Sequence, residues 1–193
     1  VEETIRRVGY TPNFSARSLA SAEAPYLGLA YLNPSSGYLG QFLVGVLAAA
    51  RTTGLHVILE PFSEDPAEWA RELTAYCQES RIRGLILPPP LCDDFAVLAA
   101  ARDIDLPTVR VSPSRHDEQF VSVRIDEYRA AFEMTELLLA NGHRAIGFLK
   151  GASNQEAATQ RFDGFADAMR QAGHPVNAAW VGEGEFAPGP ALE

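Results

Sequence analysis

Gly84-Leu85-Ile86-Leu87-Pro88-Pro89-Pro90 is the stretch on which the fold turns. Its first four residues are apolar without interruption, and three prolines close it. A strand with no polar face suits a parallel sheet covered on both sides. Working outward, Asp65-Pro66-Ala67-Glu68 reads as an N-cap, a first-turn proline and a capping-box glutamate, opening a helix that runs to about Ser80. Residues 55–60 form the strand before it. On the other side, 93–102 reads as helix, and Thr108–Val111 and 121–125 as strands. Farther out, a strand over 26–32 ends in the turn-rich run 33–37. A helix from about Tyr38 to Thr53 carries Phe42, Val46, Ala49 and Ala50 on one face and stops at Gly54. The helix 127–141 is closed by Asn141-Gly142, the strand 145–149 follows, and a helix over 155–172 ends at Gly173. Trp180-Val181 begins the last strand.

Strands alternating with helices imply parallel sheets joined by right-handed crossovers. In such sheets ligands bind beyond the carboxyl ends of the strands. That directs attention to 33–38, 88–93, Asp126 and 151–161.

The chain has 193 residues, 47% of them hydrophobic, enough to bury a core. No apolar run approaches the roughly 20 residues of a membrane span, and no membrane partner is expected. Residues 1–7 are charged and lack the apolar stretch of a signal peptide. The first residue is Val1 rather than Met, so the chain is expected to begin inside a longer protein. Cys77 and Cys92 lack metal-ligand spacing and read as free thiols of a reducing cytoplasm. Net charge is −9, which argues against generic nucleic-acid binding by the bulk of the chain. Residues 1–20 nevertheless hold Arg6, Arg7 and Arg17 against Glu2 and Glu3, a net of +1. A basic stub on an acidic body suits a protein that touches DNA at one end.

Catalytic chemistry has no foothold. His56, His116, His143 and His174 show no spacing for a metal site or a catalytic pair. Ser153 lacks a Gly-x-Ser-x-Gly elbow, and there is no phosphate-cradling glycine loop. We expect no enzyme, no cofactor and no metal.

Residues 9–19 carry the sharpest motif: Gly9-Tyr10-Thr11-Pro12-Asn13-Phe14-Ser15-Ala16-Arg17-Ser18-Leu19. Pro12 keeps Thr11 extended and Asn13 can cap a helix. That helix would span about two turns, too short to hold itself in water. A partner must stabilise it, and the small Ala16 would permit another helix to approach closely, with Leu19 one turn on. This stretch resembles the hinge of LacI/GalR transcriptional regulators. Val1 to Gly9 resembles the end of their headpiece, Leu27-Gly28-Leu29 their first core strand, Gly142-His143-Arg144-Ala145-Ile146-Gly147 their Gly-His-Arg-x-Ile-Gly segment, and Arg161-Phe162-Asp163-Gly164-Phe165 their Arg-x-x-Gly-Phe segment.

The resemblance implies an α/β fold of the type-I periplasmic-binding-protein kind, with doubly wound parallel sheets in two lobes. Residues 1–24 would be the end of the helix-turn-helix headpiece and the hinge helix, 25–144 the N-terminal lobe, and 145–193 the start of a C-terminal lobe that stops incomplete. It implies a cytoplasmic, homodimeric DNA-binding regulator, a repressor, controlled by a small carbohydrate effector. The alternative is a transport-type sugar-binding protein of the same fold, which would carry a signal peptide and no hinge. Paired hinge helices would enter the minor groove of operator DNA with Leu19 as the wedge. Tyr10 and Asn13 would touch phosphates, and Arg17 and Ser18 are further groove candidates. Major-groove readout needs a recognition helix, which this stretch does not supply.

For the effector, the resemblance implies Asp126 as a hydroxyl-accepting carboxylate and Arg161 as a planar donor fork. Asp126 also reads as a plain helix cap. Tyr38, Leu39 and Phe186 would form apolar walls, though ordinary packing explains Leu39 as well. Asn33, where the family usually has aspartate, would bond a hydroxyl. Gln155 stands where some members carry a second basic residue, which disfavours a doubly charged ligand.

Overall fold

The computed structural model describes residues 26–32 and 36–186, together with Arg7. Tyr10, Asn13, Ala16, Arg17, Ser18 and Leu19, expected to contact DNA, and Asn33, expected at the effector, lie outside the described residues.

The chain alternates as its hydrophobic runs require. In order it forms β1 (Tyr26–Tyr31), α1 (Ser36–Thr53), β2 (His56–Pro61), α2 (Trp69–Ser80), β3 (Gly84–Leu87), α3 (Phe95–Asp103), β4 (Thr108–Val111) and β5 (Val121–Val123). Then come α4 (Glu127–Ala140), β6 (Phe148–Lys150), α5 (Glu156–Gln171) and β7 (Val181–Glu183). Strands β1 to β5 form one sheet in the order β2-β1-β3-β4-β5, all parallel; β6 and β7 pair in parallel as a second sheet. This is the expected α/β architecture.

Local chemistry explains most boundaries. The Asp65 carboxylate accepts the Ala67 N–H at 3.0 Å, but the turn it opens, Pro66–Glu68, is 3-10, and α2 begins only at Trp69. Asp94 caps α3 by accepting the Val97 N–H at 2.8 Å. Cys92 lies in a buried 3-10 turn, Leu91–Asp93. β5 ends at Val123, two residues short of the expected limit, and β6 starts at Phe148 rather than 145.

The first sheet has a contiguous core. Leu73, Leu85, Leu87, Leu91 and Val97 are fully enclosed, and Trp69 and Tyr76 of α2 join them. Both aromatic polar atoms are satisfied: Trp69 Nε1 donates to the Ser63 carbonyl at 2.8 Å and the Tyr76 hydroxyl to the Ile58 carbonyl at 2.8 Å.

The second unit is built differently. Its main packing is helix on helix, α4 along α5. The contact is close because Gly164 lacks a side chain: a Cβ there would lie 2.1 Å from the Tyr128 carbonyl oxygen. Phe165, Ala168 and Met169 fill the seam, and the Phe165 ring stacks on Phe148 of β6 at 4.9 Å between centroids. Leu149 and Trp180 stay exposed. No helix among the described residues is long and apolar enough to cross a membrane.

Candidate functional site

A cleft of about 510 Å³ opens beyond the carboxyl ends of β3, β4 and β5. Its floor is Pro89, Val111, Ser112, Val123, Arg124 and Ile125, all at or just past strand ends. Tyr38 and Phe42 of α1 form one wall, their rings stacked 6.1 Å apart and only 8° from parallel. The opposite wall is Glu127 of α4, Gln155, Ala157 and Arg161 of α5, and Phe186. The first sheet therefore supplies one side and the second unit the other. Such a mouth is where parallel sheets bind ligands.

The floor is held by a buried guanidinium. Arg110, on β4, is 3% exposed. Its Nε donates to the Cys92 carbonyl at 2.7 Å, one Nη to Asp93 at 2.9 Å and the other to the Arg115 carbonyl at 3.2 Å. Asp93 in turn accepts the Ser114 N–H at 2.9 Å. A buried charge is tolerable only when paired and hydrogen-bonded in this way. The result fixes residues 112–115 from both sides, with Ser112 held at a left-handed φ of 47°.

Arg161 is half-exposed, and its Nε donates to Glu127 Oε2 at 2.6 Å. Glu127 is the buried partner, with 7% of its side chain exposed. Burial raises the Tyr38 phenol above its ordinary value; the Cys92 thiol and the Glu127 carboxylate add to the rise, and Arg161 opposes it. The Phe186 ring covers Gly151, where any side chain would collide with it.

Asp126 sits next door. It lines an adjoining recess with Ser112, Ser114, Arg124, Glu156 and Gln160. Its Oδ1 accepts the Arg129 N–H at 2.9 Å, so it caps α4. Of the expected effector residues, Tyr38, Arg161 and Phe186 are brought together in the cleft, and Asp126 flanks it. Leu39 is half-buried and is not among the lining residues. Sequence reasoning missed Glu127, which reads as an ordinary first-turn acid of a helix, and the apolar floor, which reads as strand ends. The available signal was the position of 111–112 and 123–125 at carboxyl ends.

Neither Cys77 nor Cys92 lines the cleft. Burial, reinforced by Asp93, pushes the Cys92 thiol well up, and burial pushes Cys77 up to about 11. A raised thiol pKa disfavours the nucleophilic thiolate. Among the described residues no His, Cys, Asp and Glu cluster could hold a metal.

Residues 24–186 match the family described as periplasmic binding proteins and sugar binding domain of LacI family. The HTH-type transcriptional repressor PurR of Actinobacillus pleuropneumoniae serotype 5b is 23% identical over 195 residues, covering 100% of this chain and 57% of its own length. Catabolite control protein A of Priestia megaterium is 26% identical over 187 residues, covering 96% of this chain and 56% of its own. The chain thus spans little more than half the length of the relatives it matches. Among solved structures, the transcriptional regulator CelR in complex with cellobiose superposes with a TM-score of 0.71 at 23% identity, covering 96% of this chain and 55% of that one.

Proposed function

The chain belongs to the family of periplasmic binding proteins and LacI-type sugar-binding domains, and from that premise we propose that it is the effector-binding part of a DNA-binding transcriptional repressor. The observation that carries this reading is the cleft: apolar and aromatic walls with a few fixed polar groups, between two separately packed units. Aromatic faces suit the apolar faces of a sugar ring, and Ser112, Glu127, Gln155 and Arg161 suit its hydroxyls. The regulator names of the relatives and the cellobiose bound in CelR support the same reading.

The effector is a carbohydrate or related metabolite, held by Tyr38, Arg161 and Phe186 with Asp126 at the margin. A ligand touching both walls favours one setting of the two units over another. That setting reaches operator DNA through the hinge, where Leu19 is the wedge, Tyr10 and Asn13 contact phosphates, and Ala16, Arg17 and Ser18 face the groove or the paired helix. The regulator is cytoplasmic, homodimeric and non-enzymatic. The packing of α4 along α5 supports grouping α4 with the second unit.

A thermal-shift screen of sugars and nucleosides on the full chain tests the effector side. At least one neutral sugar raises the melting temperature, and Arg161→Met abolishes the rise. A rise that survives Arg161→Met puts the site elsewhere. For the DNA side, Leu19→Ala in the intact regulator weakens operator binding in a gel-shift titration; unchanged affinity removes the wedge assignment.

A further inference from the structure

We infer that Glu127 sets the charge preference of this cleft: it occupies Arg161 as an internal counter-ion, so the site takes an uncharged, hydroxylated ligand and rejects an anionic one. The inference rests on the effector-cleft reading and adds to it the class of ligand and the residue that selects it.

An arginine lining a cleft ordinarily invites a carboxylate or a phosphate. Here the invitation is already answered. Arg161 Nε donates to Glu127 Oε2 at 2.6 Å, and the Glu127 side chain is almost wholly buried. Two ligand classes then meet different physics. An anion that drew the guanidinium away would leave Glu127 buried without its counter-ion, which is strongly unfavourable. An anion that joined the pair would sit beside a buried like charge. A hydroxyl meets neither obstacle, since it donates to the carboxylate and accepts from the outer Nη groups of the same pair.

The wider mouth has the same bias. The cleft and its adjoining recess carry the carboxylates Asp126, Glu127 and Glu156 against the guanidinia Arg124 and Arg161. Gln155 is neutral. The Tyr38 phenol is raised in the same surroundings, by burial first, then by Cys92 and by Glu127.

Inorganic phosphate tests the assignment without knowledge of the effector. Its binding to the full chain is measured by isothermal titration at fixed ionic strength, for the wild type, Glu127→Gln and the double variant Glu127→Gln/Arg161→Gln. The wild type binds phosphate weakly or not at all. Glu127→Gln, which keeps the size and a hydrogen bond but removes the charge, binds it at least about tenfold more tightly, the scale of one charge-assisted hydrogen bond. The double variant loses the gain, identifying Arg161 as the group released. If Glu127→Gln folds poorly, Glu127→Ala is titrated instead; it removes the carboxylate, and a gain in the same direction is expected. Wild-type binding as tight as that of Glu127→Gln overturns the inference, as does a gain that persists in the double variant. The neutral-sugar screen fails or succeeds independently of these titrations, so loss of the effector reading and loss of the Glu127 assignment are told apart.

Discussion

The two units of this chain solve the same problem with different materials. Around the first sheet, the core is spread over strands, helices and a 3-10 turn: Leu29 on β1, Leu73 on α2, Leu85 and Leu87 on β3, Leu91 and Cys92 in the turn, Val97 on α3. In the second unit neither β6 nor β7 contributes a fully buried residue, and burial concentrates where α5 meets α4. The first unit is a sheet covered by helices. The second is a helix pair with a short two-stranded sheet attached. The cleft opens where these two constructions meet.

The largest effects should come from breaking each core at its own centre. Leu73→Ala removes a side chain with no exposure, and destabilisation of about 4 kcal/mol is expected in urea unfolding followed by circular dichroism. Gly164→Ala comes next. Its Cβ would press on the Tyr128 backbone, forcing α4 and α5 apart, with an expected loss of about 3 kcal/mol. Hydrogen exchange separates the two variants: Leu73→Ala should speed exchange in β1, β3 and α2, and Gly164→Ala in α4 and α5. Equal acceleration everywhere from either change would merge the two units into one cooperative block.

A matched pair of caps sharpens the comparison at the cleft. Asp94 caps α3 and does not line the cleft, and Asp126 caps α4 and lines the adjoining recess, each accepting one backbone N–H. Replacing either by alanine should lower stability by about 1 kcal/mol. Only Asp126→Ala should also weaken binding of a sugar found in the thermal-shift screen. Identical affinities in the two variants would reduce Asp126 to a cap.

The smallest expected effect is an acid-side dependence of the helix pair. Hydrogen bonds from the Tyr128 hydroxyl and then Arg170 hold the Asp167 carboxyl below its ordinary value of 3.8. A carboxyl lowered on folding contributes stability that is present above the ordinary value and lost as pH falls through the lowered one. In α4 and α5, Tyr128→Phe should therefore slightly lower stability above about pH 4 and converge with the wild type in acid, flattening the decline between; the effect is small because this carboxyl is solvent-exposed. A stability–pH curve identical to that of the wild type would show that the contact contributes nothing.

Legibility in the sequence followed the same division. β3 and β4 were readable to the residue, because a short apolar run closed by prolines and a strand entering from Pro107 admit few alternatives. The start of α4 was readable from side-chain chemistry at Asp126, whereas α3 begins at Phe95, two residues after the expected start, with Asp94 as its cap, and Asp65 caps a 3-10 turn that delays α2 by three residues. The short strands of the second unit were harder, since residues 145–149 are as apolar before the sheet as within it. At the cleft, Tyr38, Arg161 and Phe186 were legible by resemblance. The floor was not, because Val111, Val123 and Ile125 are the same residue types a core would use. Glu127 was hidden for a different reason: a first-turn acid has a sufficient local explanation in the helix dipole, and its partner lies 34 residues away.

The proposed function requires that a ligand in the cleft between the two units change affinity for DNA. Its most direct test is an operator titration by fluorescence anisotropy at fixed salt. The intact regulator and its Arg161→Met variant are titrated with and without a sugar that stabilises the wild type. The sugar should shift wild-type operator affinity by about tenfold, within the usual range of allosteric coupling. It should leave Arg161→Met unmoved while that variant still binds operator. Equal shifts in both proteins, or none in the wild type at saturating sugar, would contradict the account.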